Sequence, residues 1–331
     1  MPKPRYWFGE FIIISKDIFN DFAIYLFTDA EFYCCVTSSG QWSNSWLQIH
    51  PNKYHTNPNL LDNWYFGNPA NQRGQTEYTG SATYAIDRWL LQYDTHLSIV
   101  DGGVKLSGSW SIQQRFENTF PNATYTLSLL YKDKTGTDNL KLIPANIQNG
   151  DINQVSSGDA NGLLSITVTT GDLNKVEIGF SGSADNSVTL LAAKLELGST
   201  RTLAHKENGV WVLNEIPDYE EQLRRCQRYC AKLGRSTRYE IVGTGTGRTS
   251  SICGIVVPIP VTMRAIPAAI LSGQLTLRNR DDANIVCTSV TVDVNGTGAV
   301  YLACTANDVT AGASYDAYLA PGNYLYLGAD L

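Results

Sequence analysis

The chain has 331 residues, enough for two or three domains of roughly 100–150 residues that each bury a core. It is 43% hydrophobic, 17% charged and 11% aromatic, and its 28 Gly and 18 Tyr against 2 Met favour β-structure with many turns. With 25 basic and 31 acidic residues the net charge is -6, which supplies no electrostatic footprint for a phosphate backbone, so nucleic acid is not an expected partner.

Residues 1–56 begin MPKPRYWFGEFIIISKDIF, with two early basic residues and an apolar run. Glu10 interrupts that run, Lys16 and Asp17 end it, and no small-residue cleavage site follows, so no signal peptide is expected. No stretch reaches the roughly 18 uninterrupted apolar residues that span a bilayer, so no membrane insertion is expected either. FIIIS, FAIYLF and FYCCV are short β-like runs without an alternating polar face, and SSGQWSNSW is a polar loop that carries Trp42 and Trp46. Such runs pack on something else, which marks 1–56 as an N-terminal attachment segment rather than an independent domain.

From Asn57 the pattern changes. HLSIV, GVKLSG, SIQQRF, TYTLSLLY, LKLIPANI, LLSITVTT, KVEIGFSG and VTLLAAKLELG are separated by VDGG, FPNA, KTGTDN and SADNS. Eight short runs punctuated by turn residues predict an antiparallel, jelly-roll-like sandwich over 57–200. In TYTLSLLY the period of two puts Tyr125, Leu127, Leu129 and Tyr131 on one face and Thr124, Thr126 and Ser128 on the other, as in a half-buried strand.

NLLDNWYF, then Trp89 in DRW, SIQQRF leading to NATYTLSLLY, and VTLLAAKLELGS follow one another in an order that resembles the β-sandwich carbohydrate-binding modules of the family 4/9/22 type. The resemblance spans Asn59 to Ser199. Those modules commonly place an acidic residue in the last strand near a structural calcium; Ala192 and Ala193 stand there in this chain, so no cofactor is expected and a calcium site is doubtful. The segment Asn68–Trp89, followed by AKLELGST, a linker to Pro217 and RRCQRYCAKL, resembles phage and prophage tail-fibre proteins, as does the ending YLYLGADL.

DYEEQLRRCQRYCAKLG predicts the one helix, within a linker-and-helix region 201–234. Asp218 and Glu221 form a capping-box variant, and Gly234 is the expected stop. Tyr219, Leu223, Cys226, Cys230 and Leu233 recur at spacings of 4, 3, 4 and 3, an apolar stripe suited to a neighbouring sheet or to copies of itself around a threefold axis. Cys226 and Cys230 have no nearby His or Cys to complete a metal set, so they read as small apolar fillers, with no metal site expected. The seven cysteines, an odd number without a C-x-x-C pair, read as a reduced set made in the cytoplasm.

Residues 235–331 predict a second sandwich. GTGTGR lacks the Lys-Ser/Thr of a phosphate loop and reads as a mobile hairpin loop. Pro258, Pro260 and Pro267 remove ladder donors and confine their segment to a sheet edge.

The fold class expected is therefore mainly β: two antiparallel β-sandwich domains joined by a linker and one short α-helix. No G-x-S-x-G, H-E-x-x-H or Walker pattern is present, His50, His55, His96 and His205 are scattered, and Asp281 and Asp282 lie in a polar turn, so an enzyme is not expected. The tail-fibre resemblance implies a virion protein that attaches to a host-surface glycan. It also implies a homotrimer, with tail or baseplate proteins as partners and 235–331 as the receptor-binding tip. A structural virion part (collar, head fibre or decoration) and a bacterial adhesin are the alternatives. Aromatic side chains stack on sugar rings, which makes Trp64, Trp89, Trp110, Tyr301, Tyr315, Tyr318 and Tyr324 the candidate glycan-binding residues.

Overall fold

The computed structural model describes residues 56–180, 182, 185–234, 237–279 and 284–331, together with the backbone of five strands between residues 11 and 49. The chain divides into two compact units, Met1–Thr56 and Asn57–Leu331. In the first, the apolar runs form the strands Phe11–Ser15, Phe22–Phe27 and Phe32–Ser38, paired antiparallel in that order. Gln41–Trp42 and Leu47–Ile49 both pair with Phe32–Ser38, and Trp46, His50 and His55 lie outside the described residues.

All eight alternating runs of the second unit are strands. One sheet holds, in spatial order, Gly162–Thr170, Ala123–Thr135, Ser187–Leu197, Gly103–Ser107, His96–Val100 and Glu77–Thr79. The facing sheet holds Gly150–Asp151, Leu140–Asn146, Lys175–Gly179, Ser111–Arg115, Leu90–Leu91 and Thr83–Tyr84, with Val155–Ser157 pairing Leu140–Asn146. From Ser111 onward the six long strands alternate between the sheets, so non-local pairs bury Leu127, Leu129, Leu106 and Leu190 together with Ile112, Leu142 and Ile178. A second sandwich has its own core, built on Ile255, Leu277, Leu302, Ala317 and Leu327. Its seven-stranded sheet runs Asn284–Val286, Leu275–Asn279, Ser314–Leu319, Glu240–Gly247, Ile252–Pro258, Ala299–Thr305 and Ser289–Asn295. The opposing sheet is Cys230–Leu233, Tyr324–Gly328 and Ala268–Ser272. The protein is thus mainly β, with antiparallel sandwiches and one short helix among the described residues.

Several local expectations change in this setting. Ala123–Thr135 is not half-buried: Thr126 is 1% exposed and Ser128 fully covered. Lys194 and Glu196 lie opposite Ser128 and Thr126, and each is tied to the segment that follows the sandwich. Lys194 Nζ reaches Glu215 Oε1 at 2.5 Å, and Glu196 accepts from the Thr202 N–H at 2.8 Å and from its hydroxyl. Residues 201–217 therefore fold over this face, where Ala204–Glu207 and Val210–Leu213 form a hairpin and Leu203 joins the core. GTGTGR is not a loop but the end of the interior strand Glu240–Gly247 and the residue after it. Gly245 is required there, because a Cβ would lie 1.8 Å from the Gly254 carbonyl oxygen. Pro258 ends an interior strand rather than an edge; it occupies the last residue, where a missing N–H costs least.

The helix, α1 (Tyr219–Gln227), begins as its sequence predicts: Asp218 Oδ1 accepts from the Glu221 N–H at 3.0 Å. It stops after nine residues, so Cys230 and Leu233 are not on a helical stripe with Tyr219, Leu223 and Cys226. Cys230–Leu233 pairs with Tyr324–Gly328 and inserts Ala231 into the second core, which outweighs helix extension. Gly234, at φ 111°, serves the close approach of Asn323 and Tyr324, not a helix cap. Cys226 is fully covered and Cys230 is 1% exposed, both within this chain, while Tyr219 is 39% exposed. The five residues do not form one continuous seam.

Candidate functional site

The two sandwiches meet along α1, the strand after it and the chain's last residues, and the contact is polar. Arg73, from the loop before Glu77–Thr79, donates to Asp87 Oδ1 at 3.1 Å and to Asp330 Oδ2 at 2.6 Å. Asp87 has no exposed surface and also accepts from Gln72 Nε2 at 2.9 Å; burial raises its pKa against the pull of Arg73. Gln72 Nε2 spans to the Cys230 carbonyl at 2.6 Å. Nearby, Arg88 donates to Asp62 Oδ2 at 3.0 Å and its guanidinium lies 3.5 Å from the Tyr229 ring centroid. Arg225 reaches Asp62 Oδ1 at 2.8 Å, and Arg228 grips Glu117 with two contacts of 3.1 Å. One buried charge relay and one cation–π stack therefore hold the sandwiches in a defined geometry.

Beside Arg73 the junction opens into a cleft of about 530 Å³, walled by Tyr78, Tyr84, Tyr324 and Tyr326 and carrying Lys232 and Asp330. The Arg73 guanidinium sits 5.3 Å from the Tyr84 ring and 5.7 Å from that of Tyr326. Lys232 Nζ is 4.3 Å from the Tyr324 ring centroid and has no carboxylate partner among the described residues. Tyr84 is pinned by its hydroxyl, which accepts from the Leu331 N–H at 3.1 Å and donates to the Leu331 carbonyl. Burial pushes the Tyr326 hydroxyl and the Asp330 carboxyl above their ordinary pKa values, and the Cys230 thiol up to about 12. Cys230 is thus a neutral filler, and burial raises Cys226 well above its usual value too.

The seven aromatic candidates do not converge. Trp64 is 3% exposed and Trp89 fully covered; Trp89 Nε1 donates to the Asn63 carbonyl at 2.9 Å and its ring packs 5.3 Å from Phe66. Tyr315 is 2% exposed, and its hydroxyl accepts from the Thr310 N–H at 2.8 Å. These three belong to cores, not to a ligand surface. Tyr301 lies across Gly254, where a Cβ would meet its hydroxyl, with Arg248 5.5 Å from its ring. Tyr318 lines a separate pocket of about 440 Å³ with Tyr239 and Val286 on the outer face of the second sandwich. Trp110 is 43% exposed on the first sandwich. Tyr324 alone of the seven enters the cleft. Arg73, Tyr84, Lys232 and Asp330 were not singled out by the sequence, whereas Tyr326 belongs with Tyr324 to the run of tyrosines near the end of the chain that the sequence marks as a candidate recognition surface. Asp281 and Asp282 lie outside the described residues. Among the described residues no group of three His, Cys, Asp or Glu is placed to hold a metal ion.

No protein-family model and no curated protein matches this chain. Among solved structures it is similar to the N-terminal CBM22-1–CBM22-2 tandem domain from Paenibacillus barcinonensis Xyn10C, at 13% identity and a TM-score of 0.26 over 82% of this chain and 98% of that one. It is also similar to recombinant discoidin II of Dictyostelium discoideum, at 11% identity and a TM-score of 0.17 over 72% of this chain and 82% of that one.

Proposed function

We propose that this chain is a non-catalytic glycan-binding protein that attaches a phage or prophage tail fibre to its host surface. The observation that supports glycan binding is the cleft between the sandwiches. Tyrosine rings offer apolar area to the C–H faces of a sugar at low entropy cost, and their hydroxyls and the Lys232 ammonium, which has no carboxylate partner among the described residues, offer hydrogen bonds to its oxygens. Binding is favoured over cleavage because Asp330, the one carboxylate among the described residues that line the cleft, is engaged by Arg73 and has no second lining carboxylate to form an acid–base pair. The tail-fibre assignment rests on the ordered motifs from Asn68 to Leu233 and on the ending YLYLGADL. In that setting a homotrimer would present three clefts and raise avidity for weak sugar contacts.

The test is binding of the full chain and of its Lys232→Ala/Tyr324→Ala variant to an array of bacterial surface polysaccharides. The expected result is retention of the wild type by at least one polysaccharide and at least tenfold weaker binding by the variant. Equal binding by the two, or no binding by the wild type across the array, overturns the proposal.

A further inference from the structure

Outside the cleft, two other aromatic side chains are stacked on each other and left open. Tyr93 is 54% exposed and Trp110 43%, with ring centroids 4.4 Å apart and planes inclined by 38°. They come from two loops that the backbone locks together. The Thr95 N–H donates to the Gln92 carbonyl at 3.2 Å and closes a turn, and the Thr95 hydroxyl bonds that same carbonyl at 2.7 Å. The Gln92 N–H donates to the Ser111 carbonyl at 2.9 Å, and the Phe180 N–H to the Trp110 carbonyl at 3.1 Å. Within this turn Tyr93 has φ 47°, a left-handed conformation that glycine adopts freely and an aromatic residue does not.

A strained backbone that points an aromatic ring outward is poorly explained by stability. Stacking on Trp110 offsets the strain, yet both rings keep about half their surface in water. We propose that Tyr93 and Trp110 form a second carbohydrate-binding site, separate from the cleft, which seats the apolar C–H face of a neutral pyranose. The turn is pinned before any ligand arrives, so little conformational freedom is lost on binding. No Arg or Lys covers either ring among the described residues, so no cation competes for the ring surface that the stack leaves open. The neighbouring Asp94 is exposed and makes no ion pair among the described residues, so it accepts hydrogen bonds from sugar hydroxyls and repels uronates and phosphorylated sugars.

The experiment uses the full chain labelled with 5-fluorotryptophan, with the Trp110 fluorine resonance identified by its absence in Trp110→Phe. Cellohexaose, xylohexaose and mannohexaose are titrated separately, with hexagalacturonate as the acidic comparison. The expected result is a saturable shift of the Trp110 resonance with at least one neutral oligosaccharide and none with hexagalacturonate. Tyr93→Gly is expected to weaken that response at least tenfold while leaving the melting temperature unchanged or higher, because glycine relieves the left-handed strain. A Tyr93→Gly protein that melts lower and keeps the response would make Tyr93 a packing residue and overturn the site. So would a wild-type resonance that ignores every neutral sugar, that responds equally to hexagalacturonate, or that moves only with protein concentration, the last marking a contact between copies. Because the shift is expected to persist in Lys232→Ala/Tyr324→Ala, failure of the cleft and failure of this site are read separately.

Discussion

Replacing Arg73 by Met tests whether the charge relay joins the two sandwiches thermodynamically. Its guanidinium is 13% exposed and bridges Asp87, with no exposed surface, on the first sandwich to Asp330, 18% exposed, on the second. Removing one partner of a buried pair leaves an uncompensated charge and costs about 3–5 kcal/mol. Asp87 keeps the Gln72 side-chain donor at 2.9 Å, which places the expected loss near the lower end, about 3 kcal/mol. For a unit of this size that corresponds to a fall in Tm of about 6–12 °C. Calorimetry of Arg73→Met should show that fall together with separation of one transition into two, because the bridge between the cores is gone. Arg73→Met/Asp87→Asn removes the more buried of the two stranded charges, leaving the partly exposed Asp330, and should recover more than half of the loss. A single variant within about 2 °C of wild type, or a double variant no better than the single one, would refute the reasoning.

Gly245→Ala puts a Cβ 1.8 Å from a backbone oxygen of the adjoining strand, where no side chain can yield, and is expected to cost about 3 kcal/mol or more in urea unfolding. Gly298→Ala, whose Cβ would meet nothing within 4 Å, is the neutral comparison; equal midpoints for the two would show that the strand contact is not tight. Glu117 is held below its ordinary value of 4.5 chiefly by its hydrogen bonds from Arg228. A depressed carboxylate stabilises the fold fully above its unfolded pKa and loses that contribution as pH falls through its lower folded value. The advantage of wild type over Glu117→Gln should therefore be constant above about pH 4.5 and shrink below it. A Tm difference that does not change across that acidic range would remove Glu117–Arg228 from the docking of α1.

Local patterns determined much of this protein. The eight alternating runs after Asn57 became strands because a period of two with Gly, Asn and Asp between runs is a backbone preference that needs no distant partner to be read. The start of α1 was legible for the same reason, since the Asp218 cap satisfies an N–H three residues away. The end of α1 was not. The helical spacing of Cys226, Cys230 and Leu233 competes with a strand pairing to Tyr324–Gly328, almost a hundred residues further on, and only the folded second sandwich supplies that partner. Burial of single aromatics was undecided for a related reason: Trp89 and Trp110 both look stackable in sequence, and only the layering of two sheets covers one and leaves the other exposed. The cleft was least legible of all. Arg73 and Asp330 are 257 positions apart, and their side chains share one site only because α1 and the strand after it draw the second sandwich against the first. Sequence determined eight strands of the first sandwich and where the helix begins; tertiary structure decided where the helix gives way to a strand, which faces are covered and which distant charges meet, because those depend on long-range packing that no local period encodes.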